Sequence, residues 1–259
     1  MTMKMLKGAI VAMLAMLAMA SVTPALADGP GYQNPHQLPL IGEVRAAKSD
    51  RRSRKFQRNV LPAFQAFIDA NLNEMSKFKS APEFVLDPTK LYLPLPTDRP
   101  IRVYFVHEGA AYRNQLGVSI VDAGHGRDGD SELHDPLDGG ELIFPDASYQ
   151  DPPDGLSPGG PLNRGDFVQI GNLPAGKQLD FFLVSNGANG RRGVLRNFHE
   201  FNSDGLQHVV AAYFSEDYPG FVLIGFEDIV GGGDLDYNDC LFVVDIGVDI
   251  NISEDDLPH

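Results

Sequence analysis

Between residues 231 and 239 the chain reads Gly-Gly-Gly-Asp-Leu-Asp-Tyr-Asn-Asp. Asp234, Asp236 and Asn238 stand at alternate positions and Asp239 follows directly. Oxygen donors spaced this way in a tight turn can converge on one point, and Ca2+ accepts about six to eight of them at about 2.3–2.6 Å. Three glycines let the backbone enter such a turn with positive φ at no Cβ cost. Glu227 and Asp228 end the strand-like run before the loop, so six acid or amide side chains fall within 13 residues. Without a cation they would repel one another, which makes Ca2+ the expected cofactor. The simpler alternative is a solvated hairpin turn, since Asp, Asn and Gly are ordinary turn residues. An EF-hand is excluded. Its sixth position needs Gly and here is Asp239, and its twelfth falls on Asp245. Strand geometry carries Asp245 about 20 Å past Asp239.

The run Phe226-Glu-Asp-Ile-Val-Gly-Gly-Gly-Asp-Leu-Asp-Tyr-Asn-Asp-Cys-Leu-Phe242 resembles the signature of the domain of unknown function 4114 family. That signature is a Glu-Asp pair, then Gly-Asp-x-Asp-(Tyr/Phe)-Asn-Asp and an apolar strand. Upstream, residues 105–117 are similar to the family's Glu-x-Ala-x-x-x-Asn-x-Leu-Gly stretch, here Glu108 to Gly117. Residues 179–187 and Asp204-Gly-Leu-Gln-His208 also resemble family segments, so the likeness spans about 101–247. The resemblance implies a β-sandwich-like bacterial module of secreted or surface proteins that binds Ca2+, with no agreed activity. It also makes Glu108 the most remote candidate ligand, beside Asp234, Asp236, Asn238, Asp239, Glu227 and Asp228.

The loop needs elements to hold it, and the chain supplies them after an address. Lys4 and Lys7 precede an apolar run of 15 residues, 8–22, and Ala25-Leu-Ala27 is a small-x-small cleavage site. The run is shorter than the roughly 20 residues a transmembrane helix needs. A cut after Ala27 and secreted or periplasmic delivery, with no transmembrane anchor, are therefore expected. Residues 1–27 read as signal peptide, 28–89 as leader and helical extension, 90–250 as a β-sandwich domain and 251–259 as an acidic tail. Loss of the two-lysine signal moves the formal charge from −14 to −16. That surface repels nucleic acid and anionic lipid and attracts cations. Cys240 is the only cysteine, so no internal disulfide can form. It stands in a Leu/Phe/Val run and reads as a buried, inert thiol.

Residues 28–40 read as a mobile leader rich in Gly, Pro, Asn and Gln. Arg51, Arg52 and Arg54 form a dense basic run that reads as a solvated helix start or a contact for an acidic partner. Val60, Phe64, Phe67, Ile68, Leu72 and Met75 fall at helical spacing, with Pro62 placing the first turn near residues 59–61. This predicts one amphipathic helix on or beside the sandwich. Nine strands follow, at 90–93, 101–107, 115–121, 141–144, 167–170, 178–184, 207–214, 221–226 and 240–246, broken by turn residues. The fold class is all-β, a β-sandwich or jelly roll with an N-terminal amphipathic helix. His107 reads as a hydrogen-bonded edge histidine rather than a ligand.

Asp128, Asp130 and Glu132 alternate in a second acid cluster near His125 and His134. It reads as a solvated Ω-loop or as a second, weaker Ca2+ site. Zinc fits less well, because no His pair has helical spacing and no cysteine pair exists. Residues 146–164, rich in Pro and Gly, read as a long irregular loop. Catalytic signatures fail: Gly155-Leu-Ser-Pro-Gly159 lacks the strand and helix that a nucleophile elbow needs. Gly231–Gly233 lacks the Lys of a phosphate loop. The expectation is a non-catalytic, exported, calcium-binding β-sandwich serving cell-surface or matrix adhesion toward a glycan or protein. The alternatives are an envelope or biofilm component without a discrete ligand, or a secreted hydrolase working through a carboxylate pair on glycans.

Overall fold

The computed structural model describes residues 34–72, 77–78, 85–86, 96–123, 136–150, 159–191, 193–213, 218 and 220–247. The signal peptide, the acidic tail, the expected strand at 90–93, Met75, the cluster of Asp128, Asp130 and Glu132, and the Ser157 motif lie outside the described residues. No helix among the described residues is long and apolar enough to cross a membrane.

Two antiparallel sheets form a sandwich. The larger runs in the order β1 (Val44–Arg45), β6 (Phe167–Gly171), β3 (Ile101–His107), β11 (Cys240–Asp245), β10 (Phe221–Phe226), β9 (Val209–Tyr213), β2 (Val85–Leu86). The smaller runs β5 (Glu141–Phe144), β4 (Gln115–Asp122), β7 (Lys177–Ser185), β8 (Gly193–Arg196). Successive side chains on a strand point to opposite faces, and here both faces of the central strands are buried. Val103 and Phe105 of β3, Phe242 and Val244 of β11, and Phe181 and Leu183 of β7 meet between the sheets. Tyr104, Val106, Leu241 and Val243 face the other way, into a second core under the helix. That double burial explains why these strands read as continuous apolar runs rather than as strict alternation.

The helical cover is built from α1 (Arg51–Lys55), a π-helical turn over Phe56–Val60, and α2 (Leu61–Asn71). Phe56, Val60, Phe64, Phe67 and Ile68 pack against the outer face of the large sheet, Phe56 stacking on Tyr104 at 3.8 Å between ring centroids. The helix starts some nine residues earlier than the pattern around Pro62 predicts. Asp50 accepts the Ser53 N–H (2.8 Å) while the Ser53 hydroxyl accepts the Asp50 N–H (3.1 Å), a reciprocal capping box. The wider π turn just before Pro62 relieves the clash of its ring with the carbonyl four residues back.

Three other expectations change. Arg52 is no solvated helix residue: its guanidinium reaches Asp245 at 2.6 Å, at the end of β11. The leader is not mobile throughout, because Leu38 is buried with Leu142, Phe182 and Val184, and Leu40 bridges Leu142. His107 is not on an edge strand, since β3 lies between β6 and β11; its Nδ1 lies 3.4 Å from the Tyr149 hydroxyl. Short strands β1, β2 and β8 were not legible as apolar runs.

Candidate metal centre

The β10–β11 pair is in register from Phe221↔Asp245 to Phe226↔Cys240, so residues 227–239 form the hairpin loop that joins them. The backbone there is unusual. Gly231, Gly232 and Gly233 have φ of 100°, 87° and 48°, and Leu235 and Tyr237 also sit at positive φ, 63° and 57°. For residues with side chains this conformation is strained and is held only where the surroundings over-determine it. Here Tyr237 supplies the hold: its N–H donates to Glu227 Oε1 (2.8 Å) and its hydroxyl to the Gln207 carbonyl (3.3 Å). Gly225 lets the loop fold back onto β10, because a Cβ there would collide with the Tyr237 carbonyl.

This path brings Glu227, Asp234 and Asp236 together, with one carboxylate oxygen from each within 4.8 Å of the others. Two oxygens on opposite sides of an ion at about 2.4 Å stand about 4.8 Å apart, so the trio fits one hard cation. Glu227 and Asp236 are buried and Asp234 is exposed, which leaves the centre open on one side. Glu227 is 0% exposed, and its Oε2 has no hydrogen-bond partner among the described residues. That oxygen faces Gly233, where a Cβ would collide with it. Burial, reinforced by the charges of Asp236 and Asp234, pushes the Glu227 carboxyl up to about 7. A buried carboxylate oxygen with no donor beside two further acids costs several kcal/mol unless something neutralises it.

The other sequence candidates are placed around this trio rather than in it. Asp239 Oδ2 accepts the Asp228 N–H (2.8 Å), and Asp228 Oδ2 accepts the Asn114 side-chain amide (2.7 Å). Burial raises both carboxyls, and with the adjacent Asp228 charge it pushes Asp239 up to about 9. Asn238 donates its side-chain amide to the Leu72 carbonyl (3.3 Å), and its own carbonyl accepts the Gly109 N–H (3.1 Å). It therefore ties the loop to the end of α2 and to β3. Glu108 is buried, and its Oε2 accepts the Tyr149 N–H (3.3 Å). With Asp228 and Asp239 it lies close enough to raise the Cys240 thiol, though burial is the larger cause.

Two participants carried no assigned role in the sequence reading. Asp204 Oδ2 accepts the Gly231 N–H (2.6 Å) and faces His208 Nε2 (2.9 Å), while the His208 carbonyl accepts the Glu227 N–H (2.9 Å). Burial would raise the Asp204 carboxyl, but N–H donors from Gly231 and Leu206, with His208, outweigh it and hold it down to about 2. Asn114 is the other. A usable signal existed for both, because each stands in a stretch quoted above for its family likeness.

The family described as Domain of unknown function (DUF4114) matches residues 173–247. That part of the chain is a DUF4114 domain. No curated protein and no solved structure matches the chain. The DUF4114 match holds the whole carboxylate trio together with Asp204 and His208. Glu108 and Asn114 precede it, and the fold brings them in through β3, β4 and the turn between them.

Proposed function

We propose that the β10–β11 corner binds Ca2+ through Glu227, Asp234 and Asp236, within an exported, non-catalytic β-sandwich module. One observation carries this reading: a fully buried glutamate, one of whose oxygens has no hydrogen-bond partner among the described residues, in a trio with two other carboxylates. The donors are all hard oxygens, which favours Ca2+ over the softer transition metals. Asp228, Asp239, Asn238 and Glu108 orient the loop and tie it to three parts of the chain. The ion neutralises the trio and fixes the corner. Adhesion to a cell-surface or matrix component, through the surface so fixed, is the role this arrangement supports best.

Extracellular calcium sites bind at about 10⁻⁴–10⁻³ M. At about 1 mM calcium one such site adds roughly 0.4–1.4 kcal/mol by mass action. Thermal unfolding with calcium and with chelator should therefore differ by a modest, reproducible shift that Asp236→Ala removes. Equal melting of the wild type in both buffers, with no heat in a calcium titration, would sink the assignment.

A further inference from the structure

Two loops meet at the acidic corner, and one carboxylate joins them. The 227–239 loop is held from outside at its start and at its tip. At the start, Glu227 donates its N–H to the His208 carbonyl; at the tip, Gly231 donates to Asp204. Asp204 belongs to the connection between β8 and β9, and its other oxygen accepts the Leu206 N–H (3.0 Å). His208 is 0% exposed, and its ring faces the same Asp204 oxygen that holds Gly231. The β8–β9 connection is closed on itself by Asn202, which accepts the Arg196 N–H (2.8 Å) and donates to the Leu206 carbonyl (2.8 Å). Shifting Asp204 would therefore move Gly231 in one loop and Leu206 in the other.

The placement of Gly231 matters to the trio. Glu227 lies four residues before it and Asp234 three after, and Gly232 and Gly233 between have no side chains to hold the turn. Asp204 is thus the external clamp at the hinge between the two halves of the carboxylate set. It makes three charge-assisted contacts, each about twice as strong as a neutral hydrogen bond. Leu206, Ile229 and Val230, three of the large apolar side chains left exposed among the described residues, ride on the two segments that this clamp joins.

We propose that Asp204 is a positioning residue for the ion: it pre-forms the 227–239 loop for Ca2+ and couples ion binding to order in the β8–β9 connection. The inference rests on the calcium reading above. Binding linkage is reciprocal, so a clamp that raises calcium affinity must itself be tightened by calcium to the same factor. The two amides that Asp204 holds, Leu206 N–H and Gly231 N–H, report this directly.

The test combines calcium titration calorimetry with amide hydrogen exchange on the full chain. In the wild type, calcium slows exchange at both Leu206 and Gly231. Asp204→Asn weakens calcium binding by about tenfold, the loss expected for one charge-assisted contact. It also abolishes the calcium-dependent slowing at both amides. His208→Gln, which keeps a donor for Asp204, gives a smaller loss, and Glu200→Gln, in the same connection but exposed, gives none. A purely architectural Asp204 would lower the melting temperature equally with calcium and with chelator and leave the affinity unchanged; that result overturns the proposal. Calcium-indifferent exchange at Leu206 in the wild type overturns it as well, and that measurement does not depend on any variant folding. Should the wild type take up no calcium, the ion reading itself fails, an outcome separate from either of these.

Discussion

Strand β11 has acids buried at both ends, and the two ends are neutralised in different ways. At the C-terminal end Asp245 is 2% exposed in its side chain and receives Arg52 at 2.6 Å and Arg99 at 3.3 Å. At the N-terminal end the loop leading into β11 folds Asp234 and Asp236 against Glu227, one of whose oxygens has no partner among the described residues. The two ends are roughly 17–20 Å apart along the strand, too far for the arginines of one to serve the other. The sequence contains no Lys or Arg after Arg196. The first end is neutralised within the chain, whereas at the second no guanidinium or ammonium among the described residues is paired with Glu227, Asp234 or Asp236, which is where the proposed Ca2+ would supply the counter-charge. Similar residue types thus build an ion pair in one place and a carboxylate trio in another, and the presence of a nearby guanidinium separates the two.

Mutations should separate the two ends by sign and by calcium dependence. The largest effect is expected from Arg52→Ala, which strips a buried carboxylate of its nearest partner and should cost about 2–3 kcal/mol. Urea midpoints should record the same loss with calcium or with chelator. Gly233→Ala should follow at about 1–2 kcal/mol, because it adds a strained φ and drives a methyl group into Glu227 Oε2. It should also weaken calcium binding, which calorimetry would register. Glu227→Gln reverses the sign: in chelator it should stabilise the fold by about 1 kcal/mol, since a buried charge is removed, while calcium no longer raises the melting temperature. A loss of stability in chelator would mean that Glu227 is already neutralised by the chain, and the contrast between the ends would vanish.

The smallest effect concerns acid, at the pair that caps the helix. The Arg102 guanidinium grips the Asp50 carboxylate at 3.0 and 2.6 Å and holds it well below the usual carboxylate range. A depressed carboxyl contributes stability at pH values above its unfolded pKa and loses it as pH falls toward the folded one. The penalty for Arg102→Met should therefore be full at neutral pH and shrink below about pH 4. Because Asp50 is partly exposed, solvent screening keeps this effect modest. A penalty independent of pH would assign Arg102 to packing against Phe167, over whose ring it lies at 4.5 Å.

Much of the architecture is legible in the sequence. The strands at Ile101–His107, Glu141–Phe144 and Phe221–Phe226 are found where the apolar runs place them. Their short length and flanking turn residues separate them from buried helix segments, which periodicity alone would not do. The two-residue strands β1 and β2 are too short to show a period, and β8 has Gly193 and Arg196 at its ends. The helix starts earlier than Pro62 implies, because the Asp50–Ser53 cap lies upstream and the π turn carries the helix past the proline. At the candidate centre the alternation of Asp234, Asp236 and Asn238 marks the loop in which two carboxylates come to meet Glu227. It did not separate Asp234 and Asp236, which meet Glu227, from Asn238, whose amide reaches the end of α2.

The order of residues alone settled that this chain makes antiparallel apolar strands, that a glycine-hinged turn joins the last two, and that acids crowd that turn. Those are consequences of period, propensity and local turn geometry, which act over a few neighbours. Which oxygens share a centre was decided only by the folded chain. Glu227 reaches Asp234 because Tyr237 and Gly225 turn the loop back on β10, Asp228 is claimed by Asn114 from the turn leading into β4, and Asp245 is claimed by Arg52 from the helix. Electrostatic pairing acts through space at a few ångströms, so it is fixed by which elements the cores bring into contact and not by spacing along the chain.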